Sequence, residues 1–441
     1  MKLLKSFLLS AVLSTPVVCF SQKINFVEYD LKNGLHVILH EDHSTPIAAV
    51  TVMYHVGSKN ETAGRSGMAH FFEHLLFEGS DNIGRGQYAK YVENAGGGLN
   101  ANTSQDRTFY YDLLPSNQLE LGLWLESERM MHAKVEIAGI ETQREVVKEE
   151  KRQRIDNQPY GTLFLEALGH AFKVHPYNWP PIGSMEDLNA AKEEDFKKFY
   201  NTFYVPNNAV LSIAGDISVE QTKKLVEKFF GDIPKGTIEI PRPTQVEPLN
   251  KGEVRDTIWV KDKLPLILQA FHIPAQGTKE FYAVEMLNKL LSDGESSRLN
   301  RALVDEKELA LFCSAFTYNT EHPGLTLAFG LANMGVDPMQ VELGMNEEFD
   351  RVKHELISDR EFQKLRNQVE NDFVNSNSSV AGIAESLANY YMYFGDAGLI
   401  NKEIERYLAV TKEDLKNAAT KFYTKENRVV LYFLNDPKLS N

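Results

Sequence analysis

Residues 69–79 read AHFFEHLLFEG and residues 284–294 read VEMLNKLLSDG, with the paired leucines and the final acid–glycine step in the same register. Two further pairs of segments match in the same order along the chain: MYHVG at 53–57 with AFHIP at 270–274, and FYVPNNAVLSIAGD at 203–216 with FYTKENRVVLYFLND at 422–436. Three ordered matches across half a chain indicate a large repeated unit. The sequence therefore predicts two homologous domains that arose by duplication.

Each predicted domain mixes strands and helices. In the first half, apolar runs predict strands at 35–40, 47–56, 109–114 and 210–214, and helical periodicity predicts helices at 67–77, 117–131, 135–155 and 219–230. Strands followed by helices and then by strands are typical of the α+β class rather than of strict βαβ alternation. We therefore expect an α+β fold in which each domain packs helices on a mostly antiparallel β-sheet.

A proline-rich, polar stretch at 241–252 predicts the linker between the two domains. The first domain is therefore expected to span 22–245 and the second 246–441.

The two repeats differ at the positions that can carry chemistry. His70, Glu73 and His74 of the first repeat align with Glu285, Asn288 and Lys289 of the second. Two histidines four residues apart lie on one face of a helix, as two zinc ligands must, and the carboxylate between them can act as a general base. A third ligand has to come from elsewhere, and the acidic helix at 141–150 is the obvious source. The alternative is a pair of buried, hydrogen-bonded histidines on an apolar helix.

The composition argues against several classes of function. The 441 residues carry 47 Lys and Arg against 61 Asp and Glu, a net charge of −14, so neither a nucleic acid nor an anionic membrane surface is an expected partner. The chain has two cysteines, Cys19 and Cys313, which allow neither a disulfide framework nor a cysteine-based zinc site.

The first 21 residues are predicted to be an export signal. Two lysines precede an apolar run at 7–20, and Ser21 offers a small residue for cleavage. The run is too short for a membrane span, and no later segment offers about 18 consecutive apolar residues, so no transmembrane segment is expected. We expect the mature chain to be periplasmic or secreted. Lipid attachment at Cys19 is an alternative that the two valines before it disfavour.

HFFEH at 70–74, followed by REVVKEE at 144–150, resembles the inverted zinc-peptidase motif of the pitrilysin/insulinase family. The resemblance is strongest to its two-domain bacterial members of the mitochondrial-processing-peptidase type, and it covers essentially all of the mature chain. It implies one Zn²⁺ per chain, with Glu73 as the catalytic base and with His70, His74 and Glu150 as ligands.

The segment GGLNANT at 97–103 resembles the family's edge strand, whose backbone pairs with the substrate peptide. This resemblance implies substrate-binding roles for Asn100, Ala101 and Asn102. Many relatives have a Glu seven residues before the last ligand, as an outer support for the metal, where this chain has Gln143.

A second departure from the family pattern concerns the substrate carbonyl. Active assemblies of the family hold it with an Arg and a Tyr seven residues apart, and the corresponding positions here are Val304 and Leu311. The resemblance therefore implies that a homologous companion chain supplies the Arg/Tyr pair, with a homodimer as the alternative.

Together these features predict a zinc metalloendopeptidase that hydrolyses unfolded peptides or oligopeptides in a chamber formed with the companion chain. The alternative from another functional class is a non-catalytic scaffold or peptide-binding subunit of a larger assembly. The intact metal-binding motif of the first domain disfavours that alternative, because such subunits typically lose it.

Overall fold

The structure, a computed structural model, describes residues 23–248, 252–436 and 438. The predicted export signal lies outside these residues. Within them the chain forms two β-sheets, and helices pack on both.

The first sheet has six strands: β1 (Val27–Asp30), β2 (His36–Glu41), β3 (Ile47–Tyr54), β4 (Gly98–Thr103), β5 (Thr108–Pro115) and β6 (Ala209–Gly215). The second has five: β7 (Val254–Val260), β8 (Leu266–Ile273), β9 (Ala310–Tyr318), β10 (Gly324–Ala332) and β11 (Arg428–Asn435).

The α-helices of the first half are α1 (Met68–Leu75), α2 (Tyr88–Asn94), α3 (Leu119–Met131), α4 (Ile137–Lys151), α5 (Leu163–Ala171), α6 (Met185–Ala190), α7 (Glu193–Phe203) and α8 (Val219–Phe230). Those of the second half are α9 (Lys279–Ser292), α10 (Pro338–His354), α11 (Asp359–Ser376), α12 (Val380–Phe394), α13 (Glu403–Leu408) and α14 (Lys412–Phe422). A π-helical turn, Arg152–Asp156, continues α4, and a second one spans Asn300–Glu306.

Apart from the additional edge strand β1 of the first sheet, the two sheets share one strand order. The first runs β1-β2-β6-β3-β5-β4 and the second runs β7-β11-β8-β10-β9. Each sheet contains one parallel pair of strands, which is β2 with β6 in the first and β7 with β11 in the second. The other neighbouring strands are antiparallel. Tyr54 pairs with Thr108 and Phe271 pairs with Thr326, so the repeated segments MYHVG and AFHIP occupy equivalent strands. The prediction of an α+β fold with two like units and mostly antiparallel sheets is confirmed.

The segment between the two sheets is irregular over 231–248, with neither helix nor strand in that described stretch. The first sheet ends at Gly215 and the second begins at Val254. The predicted domain boundary at 245/246 falls between them and stays a prediction.

The two halves exchange one helix each. Helix α5 belongs to the first half, yet its buried residues Ala167, Leu168 and Ala171 pack on β8 and β11 of the second sheet. In return α12 of the second half packs on β3 and β6 of the first sheet through Leu387 and Ala388, among others. The other face of each sheet carries its own half's helices around a separate apolar core. This exchange ties the two halves together through buried apolar surface.

None of the helices in the described ranges is both long enough and apolar enough to cross a membrane.

Candidate metal centre

Helix α1 carries the histidine motif, and its start is tightly specified. Gly67 precedes the helix with φ of 90°, a conformation that favours glycine. The buried Glu61 carboxylate accepts hydrogen bonds from the backbone N–H groups of Gly67 (2.9 Å) and Ala69 (2.8 Å), so it satisfies donors that the first turn leaves open. Phe71 and Phe72 anchor the helix in the core. The polar positions of the motif then face α4 and β4, against which α1 packs.

Three side chains converge between α1 and α4. Glu150 Oε2 lies 3.0 Å from His74 Nε2 and 3.5 Å from His70 Nε2, and the ring centroids of the two histidines are 4.9 Å apart. One potential ligand atom from each of the three residues lies within 4.8 Å of the other two. The structure therefore brings together the two histidines of the motif and the glutamate 76 positions after His74.

The donor set suits a zinc ion. Two imidazole nitrogens and one carboxylate oxygen are the ligands of many catalytic zinc sites, which keep a fourth position open. Glu150 Oε2 is buried and makes no hydrogen bond of ordinary geometry to any described residue, although both rings are near it. A buried carboxylate oxygen in that situation is costly unless a cation satisfies it. Burial lowers the pKa of His70 to about 4, which keeps its ring neutral and able to bind a metal at neutral pH.

Arg154 holds the glutamate from the outer side. Its guanidinium Nη1 lies 2.7 Å from Glu150 Oε1, one helical turn further along the chain. The oxygen that faces the histidines is Oε2, so the arginine contacts the opposite oxygen and leaves Oε2 directed at the cluster. Arg154 is not among the sequence-predicted site residues, although an acid followed by a base four residues later on a helix is a signal that the sequence contains.

Glu73 lies beside this trio on the same helix. Its Oε2 accepts a 2.7 Å hydrogen bond from Thr103 Oγ1, at the end of β4. Burial raises the pKa of the Glu73 carboxyl, which moves it towards the range useful for proton transfer near neutral pH. Thr103 ends the predicted edge-strand segment, but its contact with Glu73 is not predicted from the sequence.

The predicted substrate-binding residues lie on β4, one of the two edge strands of the first sheet. Ala101 is buried, whereas Asn100 and Asn102 are exposed. The Ala101 backbone N–H donates to Asn100 Oδ1 (2.9 Å), and Asn102 Oδ1 accepts from Arg107 Nη1 (2.5 Å). Strand β4 packs beside α1, the helix that carries both histidines.

The remaining predicted positions are Gln143, Val304 and Leu311, and none of them is hydrogen-bonded to the trio within the described ranges. The Gln143 amide donates a 2.5 Å hydrogen bond to Glu78 Oε1, so its observed contact is with the residue that follows α1 by three positions and not with a predicted ligand. Its role in supporting the metal stays a prediction. Val304 is partly buried against the second core, and the Leu311 side chain is exposed at the start of β9.

The second half has a different chemistry at the equivalent positions. Asn288 donates to the hydroxyls of Thr317 (2.8 Å) and Thr326 (2.9 Å) and accepts from the Tyr423 hydroxyl (2.6 Å). Glu285 is hydrogen-bonded to Tyr407, and Lys289 is paired with Asp372. At the positions equivalent to the histidine motif, the polar side chains of the second half are therefore hydrogen-bonded or paired with other residues of that half.

Comparisons with known proteins cover most of the chain. Residues 36–180, which contain every predicted ligand and Glu73, match the family model described as insulinase (peptidase family M16). Residues 190–369 match the model described as the peptidase M16 inactive domain. The zinc protease PqqE of Helicobacter pylori is 33% identical over 413 residues, which cover 92% of this chain and 91% of that protein.

Two solved structures show the same architecture. The crystal structure of a protease from Helicobacter pylori superposes with a TM-score of 0.89 at 29% identity, covering 94% of this chain and 100% of that one. A peptidase M16 inactive domain from Pseudomonas fluorescens has a TM-score of 0.84 at 16% identity, covering 94% of this chain and 98% of that one, and shares the fold.

Proposed function

The chain belongs to the insulinase (M16) family of peptidases, and from that premise we propose that it is a zinc-dependent endopeptidase. The observation that carries the proposal is the convergence of His70, His74 and Glu150 from two separate helices. Similarity to a protein named as a zinc protease supports it. The second half, which lacks such a trio among its described residues, serves in this proposal as a wall of the substrate site.

The three converging residues would hold one zinc ion. Bound there, zinc supplies Lewis acidity, which lowers the pKa of water and polarises a peptide carbonyl. The protein's own contribution is to fix the ligands: α1 presents both rings, and Arg154 fixes the glutamate from its outer oxygen.

Glu73 is the proposed general base. Its half-buried carboxylate lies on the same helix as the histidines and is oriented by the Thr103 hydroxyl. It accepts the proton of the attacking water and returns it to the leaving amine. Its elevated pKa suits both transfers better than that of a fully solvated carboxylate.

The proposed substrates are unfolded peptides or oligopeptides. A peptide can add to the outer edge of β4 by main-chain hydrogen bonds, at Asn100, Ala101 and Asn102. Recognition through the backbone places weak demands on side chains and excludes segments already paired within a folded protein.

We further propose a homologous companion chain. Val304 and Leu311 are apolar, so neither can hydrogen-bond a substrate carbonyl, and an Arg/Tyr pair from a companion would supply that contact. A second copy of this chain is the alternative arrangement. The apolar run at 7–20 supports export, which would place the reaction in the periplasm or outside the cell.

The test combines metal analysis with peptide cleavage. The purified chain should contain about one zinc per molecule, as the single trio among the described residues allows, and should cleave an unstructured fluorogenic peptide when its companion is present. A chelator should abolish cleavage, and zinc should restore it, whereas His70→Ala should lose both metal and activity. Zinc far below one per chain, with peptide binding retained, would instead support the scaffold alternative.

A further inference from the structure

A cleft of about 520 Å³ lies between the two halves of the molecule. Its rim on the first half is the tip of the β4–β5 hairpin, at Ser104 and Arg107. Its remaining walls come from the second half, mainly from α9, α11, α12 and α13. The cleft is therefore distinct from the metal trio, yet it begins one residue after Thr103, which is bonded to Glu73.

The cleft is lined by more acidic side chains than basic ones. Its two lining cations are already engaged: Lys289 is paired with Asp372, and Arg107 is paired with Glu385 at 2.6 Å. Two further acids line the cleft: Glu285, which accepts a hydrogen bond from Tyr407, and Glu403, which lies near Arg406. Burial raises the pKa of both carboxyls. A cation that enters the cleft would relieve the cost of ionising them.

Two buried polar atoms of the cleft lack a hydrogen bond within the described ranges, and both are acceptors. Glu403 is 8% exposed, and its Oε1 accepts from the Tyr282 hydroxyl at 2.7 Å. Its Oε2 is buried and makes no hydrogen bond to any residue in the described ranges, with Arg406 Nη1 at 3.5 Å. Asn377 Oδ1 is likewise buried without a hydrogen-bond donor among the described residues. A ligand that completes this site has to bring donors.

Aromatic rings complete the walls. Tyr390, Tyr393 and Phe394 line the cleft from α12, and Phe281 lines it from α9. Aromatic faces beside buried carboxylates favour an ammonium or guanidinium group, which gains both cation–π attraction and charged hydrogen bonds.

We propose that this cleft binds the basic side chain, lysine or arginine, of a peptide held along β4. The proposal rests on the proposed function for the identity of the peptide as substrate. A strand rises about 3.3 Å per residue, so a peptide that pairs with β4 and continues past Thr103 reaches Ser104 within one or two residues. The cleft is then the specificity pocket for a side chain on one side of the cleaved bond.

The experiment measures binding rather than cleavage. Fluorescein-labelled peptides carry lysine, arginine, norleucine or glutamate at each position in turn, and anisotropy gives their Kd for the zinc-loaded protein with Glu73→Gln, which prevents turnover. At one position the basic peptides should bind about tenfold more tightly than the norleucine peptide. Glu403→Gln should reduce that preference to about twofold or less, and Glu285→Gln should also weaken it.

Glu405→Gln is the matched control, because it makes the same charge change on α13 at an exposed position outside the cleft. It should keep the full preference, and circular dichroism should show that all variants are folded. Equal binding of basic and norleucine peptides at every position would overturn the proposal, as would a preference that survives both Glu403→Gln and Glu285→Gln. Spermidine serves as a small cationic probe that is not a peptide. If spermidine binds the protein but does not compete with the basic peptides, the proposal that the cleft holds a peptide side chain is overturned. The binding measurement does not depend on cleavage. It therefore tests the cleft even if the protein has no peptidase activity.

Discussion

The Thr103 hydroxyl donates a 2.7 Å hydrogen bond to the Glu73 carboxylate, joining the end of the edge strand to the motif helix. The second half has a hydrogen bond at the equivalent place between helix α9 and strand β9, but there an amide replaces the carboxylate. Asn288 donates to the Thr317 hydroxyl at 2.8 Å. The strand registers make the two threonines equivalent. The threonine is therefore part of the shared scaffold, and the carboxylate is what distinguishes the first half.

Replacing Thr103 by valine should impair catalysis without removing the metal. The change deletes one hydrogen bond to a charged group, so we expect kcat to fall by roughly 10- to 100-fold with zinc content unchanged. Steady-state kinetics on a fluorogenic peptide, with metal analysis of the same sample, measure both quantities. Thr317→Val removes the equivalent hydroxyl of the second half and should leave kcat unchanged. Equal losses in the two variants would show that the threonine acts only through the fold.

Replacing Glu73 by glutamine should separate metal binding from proton transfer. Glutamine keeps the size of the side chain and can still accept from Thr103, but it cannot take a proton, so kcat should fall by about 10²–10⁴-fold while zinc is retained. Glu149→Gln, at an exposed position of α4, is the control and should behave as wild type. Wild-type turnover by the Glu73 variant would exclude it as the base.

Replacing Arg154 by glutamine should weaken metal binding. The arginine contacts the Glu150 oxygen that faces away from the histidines, and such outer supports typically contribute 10- to 100-fold to metal affinity. Competition with a zinc chelator measures this affinity directly. Arg152→Gln is matched in charge and helix, but its partner is the exposed Glu149, so its zinc affinity should stay within about twofold of wild type. Identical affinities for the two variants would contradict the supporting role.

Features with local or repeated signals could be predicted from the sequence. Helix α8 (Val219–Phe230) has the predicted bounds, because its amphipathic period is complete within the segment. The repeated segments predicted two similar structural units, because each pair of matching segments lies on equivalent helices or strands. The predicted helix at 135–155 was less accurate, since α4 ends at Lys151 and a π-helical turn follows, a change of hydrogen-bond pattern that leaves the residue pattern helical.

The candidate site was only partly readable. The four-residue spacing of His70 and His74 is a local signal, whereas Glu150 was assigned from a resemblance, because nothing local tells which acid of α4 faces α1. Thr103 could not be found, since its partner is 30 residues away across a packing contact. The exchange of α5 and α12 between the two halves also has no signal in the sequence, because an apolar helix face has the same residue pattern whichever sheet it covers.

Replacing Lys59 by methionine should destabilise the junction of the two halves. The Lys59 ammonium is buried, lies 2.8 Å from Asp106 Oδ1 and also contacts Glu321 of the second half. Methionine leaves Asp106 buried without that cation, which should cost about 3–5 kcal/mol of the free energy of unfolding. Urea denaturation measures the change. Lys307→Met, which removes an exposed pair with Glu347, should cost less than about 1 kcal/mol. Similar costs for the two variants would contradict a stabilising role for the buried pair.

Stability should fall as the pH drops from about 6.5 to 4, in part through His175. Burial lowers the pKa of His175 to about 4, and its Nδ1 accepts from the Tyr177 backbone N–H at 3.2 Å, which only the neutral ring can do. The unfolded chain therefore takes up the proton first as the pH falls, so the stability due to the neutral ring is complete above pH 6.5 and is lost towards pH 4. His175→Asn keeps a side-chain acceptor for the Tyr177 N–H but does not titrate, so its midpoint of urea unfolding should decline less steeply over that range. His354→Asn, at an exposed position of α10, should retain the wild-type slope. If His175→Asn and wild type decline in parallel, the proton that destabilises the fold is taken up elsewhere.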